Sequence, residues 1–190
     1  MIFLKKPKPY LIAEIGVNHN GSMSIAKKLI KYAKINNFDA VKFQTYLMEN
    51  LLLKNTPLVG YQKGQKRIKN MYELLKKYQF SFNQFTEIKK YCDKLKIEFL
   101  STPFDKESAI FLNKLKIPIF KVSSTDNDNF LLLDTIKKFK KPILLSLGML
   151  EEEDLKKTLR FLNYKKNMMC LMHCISKYPT NTIDTQLGYM

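Results

Sequence analysis

The stretch Ile117-Pro-Ile-Phe-Lys-Val-Ser-Ser-Thr-Asp-Asn-Asp-Asn129 decides the fold, because an apolar segment typical of a buried strand ends there in a lysine and small polar residues. A strand that only crosses a core stays apolar or ends in turn residues. Here Lys121, Ser124 and Asp126 bring a cation, a hydroxyl and a carboxylate to the carboxyl end of the strand. This combination of groups is typical of a ligand site.

Five other short apolar runs end in polar side chains in the same way. They are Ala-Glu-Ile-Gly at 13–16, Val-Lys-Phe-Gln-Thr at 41–45, Phe-Leu-Ser-Thr-Pro-Phe-Asp at 99–105, Ile-Leu-Leu-Ser at 143–146 and Leu-Met-His-Cys at 171–174. Segments with helical periodicity separate the runs, and this alternation predicts a parallel α/β architecture. A TIM-type (β/α)8 barrel gathers all its strand ends at one face, whereas an open sheet concentrates ligand contacts at its switch point. Six polar strand ends favour the barrel, although periodicity alone does not separate the two architectures.

The barrel is expected to be incomplete, with about six βα units in one domain formed by residues 1–190. A closed barrel of this type needs eight strands and about 250 residues. The sixth predicted strand lies near the end of this sequence, so the last two strands are expected to be missing. The first and sixth strands would then be open edges.

Period-two alternation in the second predicted strand sends Lys42 and Gln44 to one side, which in a barrel is the interior. Residues 46–70 show no clear periodicity and are interpreted as a lid, since a loop of that length in a compact domain is usually a binding loop. The predicted strands lie at 10–15, 40–44, 97–100, within 117–129, at 143–146 and at 168–172.

Start signals mark several predicted helices. Ser22 or Ser24 can cap the first helix, residues 81–84 resemble a capping box, and Asp105 can cap a later helix. The acidic run 151–154 complements the positive end of a helix dipole. The core-facing side of the first helix is predicted to consist of Ile25, Leu29, Ile30 and Ala33.

The net charge of +16, from 33 basic and 17 acidic residues, is enough to attract polyanions. The lysines are spread over every predicted helix, as at 27–31, 89–94 and 137–138, and do not cluster with aromatic residues. A specific nucleic-acid surface would favour such clustering. Most lysines are therefore interpreted as solvated helix faces, and those at strand ends as ligands for small anions.

The sequence predicts a cytoplasmic protein with reduced thiols. No apolar run approaches the roughly 20 residues that span a bilayer, and lysines and prolines interrupt residues 1–10, unlike a signal peptide. Three cysteines cannot all pair, and Cys170 and Cys174 lack a second Cys/His pair for a metal, so buried structural thiols are expected.

Six motifs occur in order across nearly the whole chain. They are Ala13-Glu-Ile-Gly-Val-Asn-His-Asn-Gly21, Val41-Lys-Phe-Gln44, Phe99-Leu-Ser-Thr-Pro-Phe-Asp105, Phe120-Lys-Val-Ser-Ser124, Ile143-Leu-Leu-Ser-Leu-Gly-Met149 and His173-Cys-Ile-Ser-Lys-Tyr-Pro-Thr180. Through these motifs the sequence resembles the sialic acid synthase family, the phosphoenolpyruvate-condensing enzymes that make N-acetylneuraminate, legionaminate or pseudaminate. Residues 60–62 and 101–105 look closer to the legionaminate-type branch.

The resemblance implies an enzyme that joins phosphoenolpyruvate to an open-chain N-acetylated hexosamine and releases phosphate. Phosphoenolpyruvate carries two anionic groups, so its pocket needs fixed cations and neutral donors. Family positions around this ligand match Lys42, Thr102, Lys121, Ser124, Ser146 and Ser176, and positions towards the sugar match Glu14, Gln44 and Tyr178, together with Asp126. Glu14 or Lys42 is expected to deliver a proton to the aldehyde oxygen.

Several of these residues have a plainer interpretation. Ser101, Ser123 and Ser146 are also placed to cap helices, and Lys42 would be a surface residue if its strand were an edge. The two histidines suggest a metal, but we interpret both as structural. His19 would order its Asn/Gly loop, and His173 would be a hydrogen-bonding core residue at a strand end.

The sequence also departs from the family pattern. Thr125-Asp126 stands where the family usually has Gly-Glu, which shortens the acidic side chain by one methylene. The resemblance implies a divalent metal, manganese or magnesium, whose two histidine ligands are expected to lie in the missing part of the barrel. It also implies a homodimer closed by a small carboxyl-terminal antifreeze-like domain, again expected to be absent.

Three functional hypotheses follow from these features. The first is a sialic-acid-type synthase represented by the amino-terminal part of its barrel, which alone is not expected to catalyse condensation at an appreciable rate even with manganese. The second is a noncatalytic remnant, or half of a split enzyme, that binds anions or a partner chain. The third is a polyanion-binding protein that acts through its charge.

Overall fold

The computed structural model describes residues 8–58 and 69–189, and the chain divides into two compact units. We call Ile2–Ile117 the amino-terminal unit and Pro118–Met190 the carboxyl-terminal unit. Each unit contains a three-stranded parallel sheet with helices between its strands. The predicted parallel α/β architecture is therefore confirmed, whereas closure of the strands into one barrel stays a prediction.

The amino-terminal sheet has the order β1-β2-β3, with β2 in the centre. Glu14 of β1 pairs with Lys42 of β2, and Gln44 of β2 pairs with Thr102 of β3. The elements of this unit are β1 (Ile12–Gly16), α1 (Met23–Ile35), β2 (Ala40–Thr45), α2 (Met48–Leu51), α3 (Met71–Tyr78), α4 (Phe82–Leu95), β3 (Glu98–Pro103) and α5 (Lys106–Lys114).

Alternation in β2 gives the amino-terminal sheet two different faces. Val41 and Phe43 are fully buried, and the Phe43 ring lies 6.2 Å from Phe85 of α4 and 5.8 Å from Phe99 of β3. Lys42 and Gln44 are only partly buried and share the opposite face, as the sequence pattern predicts. The aromatic cluster holds the sheet against α4 and thereby fixes the direction in which the two polar side chains point.

The carboxyl-terminal sheet has the order β4-β5-β6. Lys121 of β4 pairs with Leu144 of β5, and Ser146 of β5 pairs with Met172 of β6. The main elements of this unit are β4 (Phe120–Val122), α6 (Phe130–Lys138), β5 (Ile143–Ser146), α7 (Glu152–Leu162) and β6 (Met169–Met172). Short 3-10 helices lie at Ser124–Asp126, Lys166–Met168, Thr182–Thr185 and Leu187–Tyr189.

The predicted helix starts agree with the structure. Ser22, not Ser24, caps α1 by accepting a hydrogen bond from the Ile25 amide, and the capping box at Ser81 is complete. Asp105 caps α5 and also accepts a hydrogen bond from the Leu47 amide at 2.8 Å. This second bond ties the segment after β2 to the start of α5.

Some element boundaries were predicted wrongly. The third strand continues to Pro103, because hydrogen-bonded pairing with β2 persists through the polar residues that suggested its end. The first strand begins at Ile12 rather than residue 10. The buried residues of α1 are Ala26, Ile30 and Ala33, so Ile25 is 38% exposed and Leu29 is only partly buried, contrary to the prediction for both.

The predicted lid is only partly described. Residues 48–51 form α2, and the Met71 amide donates to the Thr56 carbonyl at 2.9 Å. Residues 59–68, which include the family-like segment 60–62, lie outside the described residues. Among the helices that are described, none is long and apolar enough to cross a membrane.

His19 orders the loop after β1, as predicted. Its Nδ1 accepts a hydrogen bond from the Gly21 amide at 3.1 Å, and its ring stacks on Phe80 with a centroid distance of 4.1 Å. Burial lowers the pKa of this imidazole to about 4, although a hydrogen bond to the Gly16 backbone opposes the shift. The ring is therefore neutral in the folded chain near neutral pH.

We expect His19 to make the stability of the chain pH-dependent between about 6.5 and about 4. The unfolded state binds a proton at its ordinary pKa, so the contribution of the neutral ring is present above about 6.5 and is lost as the pH falls. The loss should reach at most about 3 kcal/mol, since one pKa unit corresponds to about 1.4 kcal/mol. Chemical denaturation at several pH values measures it.

The chain has two histidines, which supplies a matched control. His19→Gln keeps a donor and an acceptor and should remove this part of the pH dependence, whereas His173→Gln, at an exposed position, should leave it unchanged. An unaltered pH profile in His19→Gln would contradict the assignment.

Candidate active site

Glu14, Lys42 and Thr102 form a cluster across the amino-terminal sheet. Lys42 Nζ lies 2.5 Å from Glu14 Oε2 and donates to Thr102 Oγ1 at 3.3 Å. The Lys42 side chain is 12% exposed and that of Glu14 is 51% exposed, so the ammonium is enclosed while the carboxylate reaches solvent. The surface interpretation of Lys42 is wrong, because β2 is the central strand.

Gly16 allows the backbone to pass close to this cluster. It has φ +50°, and a Cβ at this position would lie 3.1 Å from Glu14 Oε1 and 3.9 Å from Gln44 Nε2. The register of β1 against β2 shifts between Glu14 and Gly16, which is the irregularity that turns the chain here. The predicted residues Glu14, Lys42, Gln44 and Thr102 thus lie near one another in the amino-terminal unit.

Lys121 and Ser146 form a second cluster, in the carboxyl-terminal unit. Lys121 is 7% exposed, and its Nζ donates to Ser146 Oγ at 2.5 Å and to the Val122 carbonyl at 2.6 Å. Cys174 Sγ donates to the same Ser146 Oγ at 3.2 Å. A buried ammonium is a suitable partner for an anionic ligand.

Gly148, in the loop after β5, lies beside residues of the loops that follow β4 and β6. Its amide donates to Ser124 Oγ at 3.1 Å. A Cβ on Gly148 would lie 2.5 Å from Ser176 Oγ and 3.0 Å from the Cys174 carbonyl oxygen, so a larger residue would require one of these groups to shift. The predicted residues Ser124 and Ser176 are therefore both adjacent to the backbone of the β5 loop.

Asp126 is enclosed instead of being open to solvent. It accepts hydrogen bonds from Asn129 Nδ2 at 3.2 Å and from Thr125 Oγ1 at 3.3 Å. Burial raises the pKa of the Asp126 carboxyl, and the two hydrogen bonds and Lys121 offset part of this effect. The fold thus carries a carboxyl group whose charged form it disfavours.

We expect Asp126→Asn to stabilise the chain at neutral pH. The folded state holds the Asp126 proton more tightly than the unfolded state, so its contribution to stability falls as pH rises from about 3.9 through the raised folded pKa. The difference in unfolding free energy between variant and wild type should therefore shrink as the pH is lowered, as denaturation curves would show. Asp154→Asn, on the exposed start of α7, removes the same formal charge and is the control for the change in total charge.

Tyr178 is a predicted site residue that belongs to neither cluster. Its side chain is 78% exposed, and none of the described hydrogen bonds brings it into either cluster. The ten predicted residues thus divide into four in the amino-terminal unit and six in the carboxyl-terminal unit, of which Tyr178 stands apart.

The alternative interpretations of the serines have different outcomes. Ser123 does cap the 3-10 helix after β4 through the Thr125 amide. Ser101 instead shares a 2.7 Å hydrogen bond with Thr45 Oγ1, and Ser146 binds Lys121, so the capping interpretation is wrong for both.

His173, Cys170 and Cys174 are less buried than the sequence predicts. His173 is hydrogen-bonded to the Thr185 carbonyl at 2.7 Å but is exposed, because β6 lies at an edge of its sheet. Cys92 is buried as expected, whereas Cys170 and Cys174 are only partly buried. Within residues 8–58 and 69–189, no three His, Cys, Asp or Glu side chains are grouped to hold a metal ion, so the described donors do not fit one.

Sequence reasoning missed Asn127 and Cys174. Asn127 is fully buried and its Nδ2 donates to the carbonyls of Ser124 and Ser146 at 3.1 and 2.8 Å. The run Asp126-Asn-Asp-Asn129 looks like an ordinary polar loop, and nothing in it distinguishes the second residue. Only the three-dimensional position of Ser146 shows what Asn127 contacts.

A model described as the NeuB family matches residues 29–190 of the chain. The chain is 36% identical over 187 residues to N,N'-diacetyllegionaminic acid synthase of Campylobacter jejuni, covering 96% of this chain and 56% of that protein. It is 30% identical over 178 residues to human N-acetylneuraminate-9-phosphate synthase, covering 94% of this chain and 50% of that protein. The chain spans about half the length of the curated relatives it matches.

Solved structures show the same likeness. The crystal structure of the N-acetylneuraminic acid (sialic acid) synthetase of Leptospira borgpetersenii in complex with citrate superposes with a TM-score of 0.80 at 29% identity. The match covers 95% of this chain and 59% of that one. The parallel α/β fold described above is thus similar to that of sialic acid synthase structures.

Proposed function

The chain belongs to the NeuB family of sialic-type acid synthases, and from this premise we propose that it functions in condensing phosphoenolpyruvate with an N-acetylated hexosamine to give a nonulosonic acid and phosphate. The observation that carries the proposal is the buried Lys121 ammonium with its Ser146 contact. An enclosed cation is suited to a phosphate or carboxylate group and is screened by salt far less than a surface lysine.

The reaction needs an anion site and a proton donor. The C3 carbon of phosphoenolpyruvate attacks the aldehyde carbon, the aldehyde oxygen takes up a proton, water adds at C2 and phosphate leaves. We assign anion binding to Lys121 and Ser146, with Ser124 and Ser176 as neutral donors beside Gly148. Hydroxyl and ammonium donors fixed before the ligand arrives avoid the cost of ordering them during the reaction.

We assign proton delivery to the pair Glu14 and Lys42. The ammonium of Lys42 lies 2.5 Å from the Glu14 carboxylate, so either group can pass a proton to an oxygen atom bound beside them. The same ammonium also donates to Thr102 Oγ1, and Gln44 supplies an amide near Glu14 for a sugar hydroxyl. Asp126 and Tyr178 are proposed sugar contacts on the strength of the resemblance alone.

The hexosamine is proposed as an N-acetylated sugar because the similar relatives include a diacetyllegionaminic acid synthase and an N-acetylneuraminate-9-phosphate synthase. The divalent metal, the homodimer and the completed barrel that the resemblance implies remain predictions. The assigned steps above use only residues of this chain and include no metal.

Titration calorimetry with phosphoenolpyruvate tests the proposed function. We expect phosphoenolpyruvate to bind saturably and more tightly than inorganic polyphosphate or heparin. We also expect phosphate release when an N-acetylated hexosamine, manganese and the carboxyl-terminal half of a full-length relative are added together. Equal binding of every polyanion would favour the charge-driven alternative. Specific binding of phosphoenolpyruvate without phosphate release under any of these conditions would favour the noncatalytic alternative.

A further inference from the structure

Asn127 connects two of the proposed ligand-binding residues through one carboxamide. Its side chain donates from Nδ2 to the Ser124 carbonyl at 3.1 Å and to the Ser146 carbonyl at 2.8 Å. The residue is 1% exposed, so no solvent is available to replace these bonds. One side chain therefore sets the distance between the end of β4 and the end of β5.

The backbone of Asn127 is itself held by a third element. Thr158 of α7, which is also buried, donates from Oγ1 to the Asn127 carbonyl at 2.8 Å. Asn127 thus links the loop after β4, the end of β5 and the second half of α7.

The Asn127 carboxamide satisfies its donors and leaves its acceptor unpaired. Within the part of the chain that the structure describes, its buried Oδ1 has no hydrogen-bond partner. A side chain selected only for stability would have both ends paired, since a buried unpaired oxygen is unfavourable. The Asn127 carboxamide instead leaves Oδ1 unpaired and directs Nδ2 towards the carbonyl oxygens of Ser124 and Ser146.

We propose that Asn127 is a positioning residue for the anion site. By fixing the Ser146 backbone against Ser124, it places Ser146 Oγ where the Lys121 ammonium reaches it at 2.5 Å. The identity of the anion, phosphoenolpyruvate, rests on the proposed function, whereas the positioning itself does not depend on which ligand binds.

Cys174 is a built-in reporter of the Ser146 position. Its Sγ donates to Ser146 Oγ at 3.2 Å, so displacement of Ser146 frees the thiol. Cys170 is the internal control, because its Sγ donates to the carbonyl oxygen of its neighbour Leu171 at 3.8 Å and has no hydrogen bond to Ser146 among those described. Cys92 is buried, and burial raises the pKa of its thiol to about 12, which keeps it unreactive.

The test compares Asn127→Asp with Thr135→Val. The first change keeps the shape of the side chain but replaces both donated hydrogen bonds with repulsion between oxygen atoms. The second removes a buried hydroxyl of the same unit that bonds only within α6, to the Leu131 carbonyl. Cys174 and Cys170 are labelled with iodoacetamide below the unfolding temperature, and peptide mass spectrometry measures the two labelling rates. Calorimetry measures the binding of phosphoenolpyruvate.

We expect Asn127→Asp to raise the labelling rate of Cys174 relative to Cys170 about fivefold or more, and to weaken phosphoenolpyruvate binding about tenfold. Thr135→Val should lower the unfolding temperature without changing either quantity. Thr158→Val, which removes the third link, should shift both in the same direction by a smaller factor. If Asn127→Asp does not fold, Thr158→Val tests the positioning role in its place.

An unchanged ratio of Cys174 to Cys170 labelling would overturn the positioning role. If the wild type binds phosphoenolpyruvate through Lys121, a raised labelling ratio in Asn127→Asp with an unchanged affinity for phosphoenolpyruvate would also overturn it. A raised ratio in a chain whose wild type does not bind phosphoenolpyruvate would support the positioning of Ser146 and overturn the proposed ligand.

Discussion

Lys121→Met is expected to weaken phosphoenolpyruvate binding about 100-fold, equivalent to about 3 kcal/mol. Methionine keeps the length of the side chain but removes the ammonium that donates to Ser146 Oγ and the Val122 carbonyl. The lost charge lies in an enclosed place, where neither water nor mobile salt ions substitute for it. Titration calorimetry of wild type and variant measures the loss directly.

Lys90→Met is the matched control for this experiment. Lys90 lies on the exposed side of α4, and its replacement removes the same formal charge from the chain. Binding should change by no more than about twofold, because an exposed charge is screened within about 8 Å at physiological salt. Equal losses in the two variants would show that only the total charge matters and would exclude Lys121 as a specific ligand.

Glu14→Gln is expected to lower the rate of phosphate release about 100-fold or more while changing phosphoenolpyruvate affinity only slightly. Glutamine keeps the size of the side chain but lacks the carboxylate that lies 2.5 Å from the Lys42 ammonium, so it cannot accept or release a proton there. The rate is measured with a saturating hexosamine in the assay that includes the carboxyl-terminal half of a relative.

A second ion pair of the same unit provides the control for Glu14. Glu87 of α4 lies 2.5 Å from Lys27 of α1, the same separation as in the Glu14–Lys42 pair, but on the helical face of the sheet. Glu87→Gln should leave phosphate release within about twofold of wild type, since an exposed pair contributes little even to stability. A large loss in both variants, or in neither, would contradict the role assigned to Glu14.

The sequence predicted the faces of strands better than their lengths. The period-two pattern placed Lys42 and Gln44 together on one face correctly, because alternation follows from backbone geometry alone. The third strand is longer than the sequence predicts, since the polar side chains at 101–102 indicate the end of a strand. Their backbone groups continue the ladder with β2 regardless of side-chain polarity.

Local capping was also predictable, because a cap depends on residues three positions apart. Ser22, Ser81 and Asp105 all cap the helices assigned to them. The environment of His173 was not predictable, since its exposure depends on β6 being at the edge of its sheet.

The candidate site was only partly predictable for a related reason. Lys121 and Ser146 are predicted as ligand-binding residues because each stands at a strand end in a family-like motif. The structure brings their side chains together, and their role in binding stays a prediction. Asn127 and Cys174 act through the backbone or through another side chain, and such contacts leave no pattern in the sequence. Only the interatomic distances in the folded chain distinguish these two residues.

The lysines on the exposed helix faces have a consequence for the first encounter with a ligand. Several are already neutralised by carboxylates one turn away, as in Lys89–Asp93 and Lys138–Asp134, yet basic residues outnumber acidic ones by 33 to 17. The surplus forms a positive field that draws in small anions by diffusion before any specific contact is made, and dissolved salt weakens this field. Association rates should therefore fall with ionic strength even where the strength of the final complex changes little.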